Sequence, residues 1–499
     1  MKSTLPSASA VGWHVTKYEN DATGREKSVT LTYCTSNATT TTCAYDNASN
    51  VATVTYPNGV QTVMQYDPLN RVTALATQTT GYNYQRDAVG NLQNVLELSN
   101  RQVNWTYDGI YRLTGETIAS APSGKNGAVT YGLDPVGNRL SEVSGLGGVP
   151  SGSFTYNPDD EAASETYDPN GNVTAAGGKT FAYDSQNQMI SANGGAVQII
   201  YDAFGNRVAK TVSGVTTRYL VEDDMNPTGL PQVFDELNGS GVVTRTYTYG
   251  LQRISEEQVI NSTWTPSFYG YDGMGSVRNL TNAAGAVTDT WEYDAFGNPF
   301  TTSGTTPNEM LYRGEQYDSD LGLYYLRARY YNPLTGRFMS RDAYMGVPRN
   351  PETLHKYLYS GGDPVNRIDP SGREDLAEYG VRLAKSLKGT VILNAINCGI
   401  GIGSALATGS LIEALGGDQT STAFLAFGCL TMTVEGGSKI TVGLDAIALA
   451  GCGWGLYQAY EAENEYFADP TEANLQKVDA GLVGGIGGCA VTLAAVALE

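Results

Sequence analysis

Short runs in which apolar and polar residues alternate recur along most of the chain, and turn-forming residues bound each run. Two examples are 197–201, which reads Val-Gln-Ile-Ile-Tyr, and 243–249, which reads Val-Thr-Arg-Thr-Tyr-Thr-Tyr. A period of two places alternate side chains on opposite faces of a strand, and Asp-Pro, Asp-Gly and Gly-Asn pairs between the runs favour tight turns. The pattern therefore predicts a succession of β-hairpins.

The hairpins carry a recurring Tyr-Asp pair followed by a turn and a short hydrophobic strand. The clearest copies are Tyr66-Asp67, Tyr107-Asp108, Tyr167-Asp168, Tyr201-Asp202 and Tyr293-Asp294. A recurrence of roughly twenty residues indicates stacked supersecondary units, because a lone hairpin is only marginally stable in water. We predict a mainly β fold in which about 45–373 form one continuous, coiled antiparallel sheet. Tyr66, Tyr107, Tyr201 and Tyr293 should then occupy equivalent positions.

These motifs resemble the RHS repeat family, whose units are also called YD repeats. The resemblance is strongest at 312–318 (Tyr-Arg-Gly-Glu-Gln-Tyr-Asp) and 322–333, and it ends in the sequence Asp369-Pro370-Ser371-Gly372, similar to the close of the RHS-associated core. It implies four regions: an N-terminal segment over 1–44, which begins the repeat sheet, RHS/YD repeats over 45–311, the RHS-associated core over 312–373, and a variable C-terminal region over 374–499. RHS proteins are usually longer, so the resemblance also implies a short member or part of a larger gene, whose shell need not be complete.

Relatives of this kind that cleave themselves use two aspartates and one arginine, and the resemblance carries these roles to Asp342, Asp369 and Arg329. Cleavage would fall between Arg373 and Glu374. Two carboxylates held close together cannot both ionise cheaply, so one stays protonated while the other activates water. Ala343 and Arg373 depart from the family pattern, which commonly has proline and leucine there. The alternative is that both aspartates only cap turns while Arg329 pairs with a neighbouring acid.

Composition changes abruptly after Gly372. Residues 374–499 lack histidine and contain four long stretches without a charged residue: 389–412, 419–434, 446–460 and 480–498. The first and last approach the ~20 residues that a membrane-spanning helix needs, and their many glycines permit close helix approach. We predict an α-helical, Gly/Ala-rich module that acts on membranes. A soluble helical bundle with a core of small residues is the open alternative.

Charge and residue types exclude several other functions. The chain carries 51 acidic against 31 basic residues, a net charge of −20 with no basic cluster, which argues against a nucleic-acid partner. Its two histidines, His14 and His355, and the lack of a Cys-x-x-Cys pair argue against a metal site. We expect no cofactor, since no phosphate-binding loop or nucleophile-base set occurs.

The function that follows from the resemblance is that of a polymorphic toxin. A β-shell would enclose the chain's own C-terminal region as cargo and release it by self-cleavage, with an immunity protein and a component of a secretion machine as partners and a target membrane as the site of action. The N-terminus lacks the apolar stretch of a secretory signal, so we expect a specialised system to deliver the protein outside the cell or to its surface. The rival hypothesis is a secreted or cell-surface YD-repeat protein that binds glycans or other cells and ends in a membrane anchor.

Overall fold

The alternating runs of the sequence form strands that join into three antiparallel sheets. The computed structural model describes residues 2–3, 14–33, 38–223, 226–346 and 351–373. Within these ranges, two sheets have fourteen strands each and a third has four, and in every sheet neighbouring strands follow one another in the chain. The mainly β prediction is confirmed.

The first sheet runs from β1 to β14. Its strands are β1 Lys2–Ser3, β2 His14–Asn20, β3 Glu26–Tyr33, β4 Ala38–Tyr45, β5 Val51–Thr55, β6 Gln61–Tyr66, β7 Val72–Ala76, β8 Gly81–Arg86, β9 Leu92–Glu97, β10 Gln102–Tyr107, β11 Leu113–Ala119, β12 Gly127–Leu133, β13 Arg139–Ser144 and β14 Gly152–Ser153.

The second sheet runs from β15 to β28 and the third from β29 to β32. The second comprises β15 Thr166–Tyr167, β16 Val173–Ala176, β17 Lys179–Tyr183, β18 Met189–Ala192, β19 Val197–Tyr201, β20 Arg207–Val212, β21 Val215–Glu222, β22 Gln232–Asn238, β23 Val243–Tyr249, β24 Arg253–Ile260, β25 Thr263–Tyr271, β26 Val277–Thr281, β27 Val287–Tyr293 and β28 Pro299–Ser303. The third comprises β29 Gln316–Asp318, β30 Leu323–Leu326, β31 Arg329–Asn332 and β32 Arg337–Phe338. Short 3-10 helices lie at Asn193–Gly195, Tyr312–Gly314, Pro351–Leu354 and Ser360–Gly362.

The aspartate of each Tyr-Asp pair builds the turn that follows it. Oδ1 of Asp108 accepts hydrogen bonds from the backbone N–H groups of Ile110 and Arg112, both at 3.0 Å. Its Oδ2 accepts a hydrogen bond from Arg112 Nε at 2.7 Å. The same pair of backbone bonds recurs at Asp67, Asp202 and Asp294. A short side-chain acceptor satisfies backbone donors that a tight turn would leave unpaired, which explains why aspartate recurs here.

The tyrosine ties its strand to the strand before it in four of the five pairs; the hydroxyl of Tyr167 instead donates to the Glu165 carboxylate. Four hydroxyl groups donate to a backbone carbonyl at the start of the preceding strand: Tyr66 to Val51 (2.8 Å), Tyr107 to Leu92 (2.6 Å), Tyr201 to Met189 (3.0 Å) and Tyr293 to Val277 (2.8 Å). Strand register shifts at each of these tyrosines, as at a β-bulge. The predicted equivalence of the four tyrosines is confirmed.

The prediction of one continuous sheet is wrong. Strand pairing stops at Ser153 and resumes at Thr166, and the segment between them makes only an isolated bridge from Tyr156 to Ala162. The intervening turn at Asn157 is built like the others, since its Oδ1 accepts from the backbone N–H groups of Asp159 and Glu161. This hairpin is too short to extend a ladder. The RHS-associated core region, 312–373, then contributes the separate third sheet, β29 to β32.

The hydrophobic core lies between the sheets. The first and second sheets share clusters in which Tyr131 meets Phe296 edge to face, with ring centroids 5.0 Å apart. The second and third sheets share a cluster of buried tyrosines that includes Tyr247, Tyr324 and Tyr331. Tyrosine suits these interfaces because its ring buries apolar area while its hydroxyl can reach a polar partner, as those of Tyr324 and Tyr331 reach the carbonyls of Gly297 and Phe296 at 2.8 and 2.7 Å.

The predicted C-terminal helical module, 374–499, lies outside the described residues. Among the residues that the structure does describe, no helix is both long and apolar enough to cross a bilayer. The four uncharged stretches of the tail also lie outside the described residues.

Candidate functional site

The arginine of the predicted site lies at the start of β31, directly after a tight turn. Arg329 pairs with Leu326 across the β30–β31 hairpin, and Arg327 adopts a positive φ of 62° in the turn. Its guanidinium is buried and lies over the ring of Phe338 in β32, 3.6 Å from the ring centroid. Stacking on an aromatic face holds a planar guanidinium in one orientation, so the hairpin and β32 together aim this side chain.

Both predicted aspartates contact the same nitrogen of that guanidinium. Nη2 of Arg329 lies 2.9 Å from Oδ2 of Asp342 and 3.4 Å from Oδ2 of Asp369. Asp342 is positioned by its backbone N–H, which donates to the Lys356 carbonyl at 2.9 Å. The three residues that the resemblance assigned to a cleavage site therefore come together.

The two aspartates differ in their exposure to solvent. The side chain of Asp342 is 19% exposed, whereas that of Asp369 is 4% exposed. Burial raises the pKa of Asp369 to about 7, and the negative charge of Asp342 contributes to this rise. The positive charge of Arg329 and the hydrogen bond from Ser371 lower the pKa, but they offset the effect of burial only in part. A protonated acid beside an ion-paired carboxylate is the asymmetry that acid-base catalysis uses.

The described part of the core region ends in a turn that Asp369 organises. Oδ1 of Asp369 accepts hydrogen bonds from Ser371 Oγ at 3.1 Å and from the backbone N–H of Arg373 at 3.2 Å. The Ser371 carbonyl accepts from the backbone N–H of Ala328 at 3.2 Å, which fixes the turn against the β30–β31 hairpin. Arg329 Nε donates to the Gly372 carbonyl. Of the predicted cleavage residues, Arg373 lies at the edge of this site and Glu374 lies outside the described residues.

Gly372 has a conformation that other residues seldom adopt. Its φ is +67°, and a Cβ at this position would clash with the Leu326 carbonyl oxygen. In the sequence, Gly372 and Ser371 stand out only as parts of the closing motif, and no pattern assigns a role to either of them or to Phe338. The only sequence signal for Ser371 was a hydroxyl group one residue before the motif glycine. Because serine is common in turns, this signal does not indicate a role in catalysis.

His355 is a structural residue. Its Nδ1 accepts from the backbone N–H groups of Tyr357 and Leu358, at 3.1 and 3.0 Å, and its Nε2 lies 2.9 Å from Asn138 Oδ1. Burial and the nearby charge of Arg337 lower its pKa to about 4, so the ring is neutral at pH 7. In the part of the chain that the structure describes, no three His, Cys, Asp or Glu side chains cluster as metal ligands would.

Two family models match the region that folds in this way. The RHS Repeat model matches 45–82 and the Teneurin YD-shell model matches 161–365. The chain therefore contains RHS (YD) repeats, as the sequence motifs predicted. The second match begins just before the second sheet and ends within the RHS-associated core region, 312–373. It therefore includes Arg329 and Asp342 and ends before Asp369.

Two bacterial proteins share sequence with part of this RHS-repeat chain. The tRNA3(Ser)-specific nuclease WapA of Bacillus spizizenii is 31% identical over 281 residues, or 54% of this chain and 11% of that protein. The double-stranded DNA deaminase toxin A of Burkholderia cenocepacia is 25% identical over 240 residues, or 41% of this chain and 16% of that protein. The RHS-repeat chain thus spans about a tenth of the length of the nuclease.

Solved structures with the same fold are toxin-complex proteins. The Photorhabdus luminescens Tc holotoxin pore has a TM-score of 0.60 at 17% identity, covering 74% of this chain and 21% of that one. A TcdB2-TccC3-Cdc42 crystal structure has a TM-score of 0.59 at 17% identity, covering 75% of this chain and 21% of that one. Likeness at this identity supports the RHS fold.

Proposed function

We propose that the protein is a polymorphic toxin of the RHS type, in which the β-repeat region encloses the chain's own 374–499 as cargo and frees it by cutting the chain. The observation that carries the proposal is the contact of Arg329 with Asp342 and Asp369 at the point where the chain leaves the core. A site that cuts only its own chain needs no cleft for a separate substrate. The name of one sequence relative, the double-stranded DNA deaminase toxin A, supports the same class.

The chemistry of the site fits aspartyl hydrolysis of a nearby peptide bond. Asp342, the more exposed carboxylate and the nearer to Arg329, would accept a proton from the attacking water. Asp369, whose pKa is raised to about 7, would supply a proton to the leaving nitrogen. Arg329 would stabilise the negative charge that develops on the carbonyl oxygen, a role that a preorganised donor performs well in a buried site. The resemblance puts the cut between Arg373 and Glu374.

Intact mass spectrometry of the purified full-length chain tests this proposal. The native chain should appear as two fragments, whereas Asp369→Asn and Asp342→Asn should each give one uncut chain. Asp363→Asn is the matched control, because Asp363 is also a buried carboxylate of the core region, with hydrogen bonds to Asn366 instead of Arg329. A native chain that stays whole after prolonged incubation would mean that both aspartates are structural.

The cargo region is proposed to act on membranes. It lies outside the described residues, so the support is its composition: four uncharged stretches, no histidine, and fourteen acidic against five basic residues. This composition does not suit the nuclease and deaminase activities that the relatives' names state, since such sites draw on histidine, basic residues or zinc ligands. Enclosure would keep apolar segments from inserting into the producing cell's own membranes.

Dye leakage from vesicles tests the membrane activity. Native protein, opened with mild denaturant and diluted onto vesicles, should release dye, and Asp369→Asn protein should release less because its cargo stays attached. Val491→Lys places a charge in the middle of 480–498, which raises the insertion cost by about 2.5–3.5 kcal/mol and should suppress leakage, while Val491→Leu should not. Vesicles that stay intact with cleaved native protein would reject a membrane target.

Delivery by a specialised secretion system and neutralisation by an immunity protein complete the proposal. The rival function, a surface-display protein with a membrane anchor, gives a different result in the same cells. An anchored protein would stay uncut in the producer's membrane fraction, whereas an enclosed toxin would be found cut and outside that fraction.

A further inference from the structure

The turn at 369–373 holds both ends of one peptide group. The carbonyl oxygen of Gly372 accepts a hydrogen bond from Arg329 Nε, and the next nitrogen, that of Arg373, donates to Asp369 Oδ1 at 3.2 Å and to Ser371 Oγ at 3.2 Å. These are the carbonyl and the amide nitrogen of the same Gly372–Arg373 bond. A hydrolytic site must polarise the carbonyl and protonate the nitrogen of the bond that it cuts.

We infer that the bond presented for cleavage is Gly372–Arg373, one residue before the bond that the resemblance indicates, and that Ser371 relays the proton to its nitrogen. This inference rests on the proposed self-cleavage and names its substrate bond. Ser371 Oγ donates to Asp369 Oδ1 at 3.1 Å and accepts from the Arg373 nitrogen, so its hydroxyl bridges the acid and the leaving group.

The turn geometry explains why this bond is the one held. The Gly372 N–H lies 3.4 Å from the Asp369 carbonyl, and the positive φ of Gly372 turns its own carbonyl toward the guanidinium. Substituting a side chain there would drive the backbone away from Leu326 and therefore from Arg329. The bond is presented by the backbone fold of the turn and not by a pocket for the Arg373 side chain.

The proposed reaction is a hydrolysis with water as co-reactant. Water adds its oxygen to the Gly372 carbonyl carbon and gives one proton to the Asp342 carboxylate, while Arg329 stabilises the oxyanion. Both hydrogen bonds of Ser371 reverse when Asp369 is protonated and the Arg373 nitrogen becomes tetrahedral, so that Asp369 donates to Ser371 Oγ and Ser371 donates to the nitrogen. The C–N bond then breaks, Ser371 Oγ passes its proton to the Arg373 nitrogen, and Ser371 takes the proton of Asp369. The products are a carboxyl group on Gly372 and an amino group on Arg373, and exchange with solvent restores the starting protonation of both aspartates.

Intact mass and N-terminal sequencing of the native chain decide the bond. Cleavage at Gly372–Arg373 gives a repeat fragment ending in Gly372 and a released fragment beginning with Arg373. Fragments that differ from these by one arginine, with the released part beginning at Glu374, would overturn the inference while leaving the proposed toxin function intact. A chain that is not cut at all would reject both.

Ser371→Ala tests the relay in the same full-length chain. It should slow cleavage about a hundredfold, within the range that a positioned acid contributes, without changing the bond that is cut. Ser371→Thr keeps the hydroxyl and should restore the rate to within a few fold, a rescue that a purely structural role would not require. Ser267→Ala is the matched control, because Ser267 is equally buried but lies in β25. Native rates for Ser371→Ala, or an equal loss for Ser371→Thr, would reject the relay.

Discussion

Arg207 and Asp318 form a fully buried ion pair, with Nη1 of the arginine 2.6 Å from Oδ2 of the aspartate. The pair joins β20 of the second sheet to β29 of the third. Lys210 lies on the other side of the same carboxylate, 3.2 Å from Oδ1, and the Tyr330 hydroxyl lies 2.7 Å from Arg207 Nη1. Although burial favours the neutral acid, the charges of Arg207 and Lys210 hold the pKa of Asp318 below its usual range.

Asp318→Asn should destabilise the fold by about 3–5 kcal/mol, since two buried cations lose their shared counter-charge. The free energy of unfolding in urea, measured in an uncut Asp369→Asn background, checks this. Because the folded pKa of Asp318 is depressed, its contribution is present above pH ~4 and is lost as the pH falls through the folded pKa. Glu19→Gln breaks the exposed pair with Lys17 and should leave stability unchanged; a similar loss in both variants would contradict the prediction.

Tyr107→Phe should cost about 1–3 kcal/mol, because the Leu92 carbonyl and Asn366 Nδ2 both lose a partner. The same urea measurement applies. Tyr111→Phe is the control, since Tyr111 lies in the following turn and is 38% exposed. If the two variants unfold at the same urea concentration, the hydroxyl of the repeated tyrosine does not contribute to the free energy of unfolding, and only its ring does.

The rate of self-cleavage should fall as the pH rises through about 7. The buried Asp369 must be protonated to act as an acid, and its raised pKa means that it loses this proton near neutrality. Rates followed by gel densitometry from pH 5 to 9 should show this decline in native protein. A rate that rises over the same interval would assign the opposite role to Asp369.

Gly372→Ala should abolish cleavage, since the added methyl group meets the Leu326 carbonyl and displaces the turn from Arg329. Gly59→Ala is the control that separates the backbone strain of a positive φ from the displacement of the turn. Gly59 has a similar positive φ of +81°, but a Cβ there meets no atom within 4 Å. This control should lose some stability and keep its cleavage rate, and equal loss of cleavage in both variants would make general destabilisation the cause.

The sequence predicted the repeat unit well because its chemistry is local. Asp108 and Tyr107 act on groups within a few residues or on the adjacent strand, so each motif carries its own geometry. The break at 154–165 was not predictable, since Tyr156 and Asn157 imitate the repeat motif. Whether such a hairpin joins the sheet depends on the length of pairing that its neighbours allow, which no single motif encodes.

The site was predictable only as a set of residues. The family motifs predicted the three residues Arg329, Asp342 and Asp369, although these are up to forty residues apart in the chain. Motifs do not show which peptide group the guanidinium meets. The contact with Gly372 depends on a turn whose carbonyl direction is fixed by a positive φ.

Tyr66, Tyr107, Tyr201 and Tyr293 each bond the strand before them in the same way, so the number of such repeats can vary without changing this contact. Removing or inserting two strands with their turn would leave every remaining tyrosine beside a carbonyl of the same kind, and the inward and outward faces would keep their sides. An insertion of one residue would instead reverse the faces of a strand. Genes for such chains can therefore grow or shrink by recombination between hairpin units, and the length of the repeat sheets can change without redesign of the turn at 369–373.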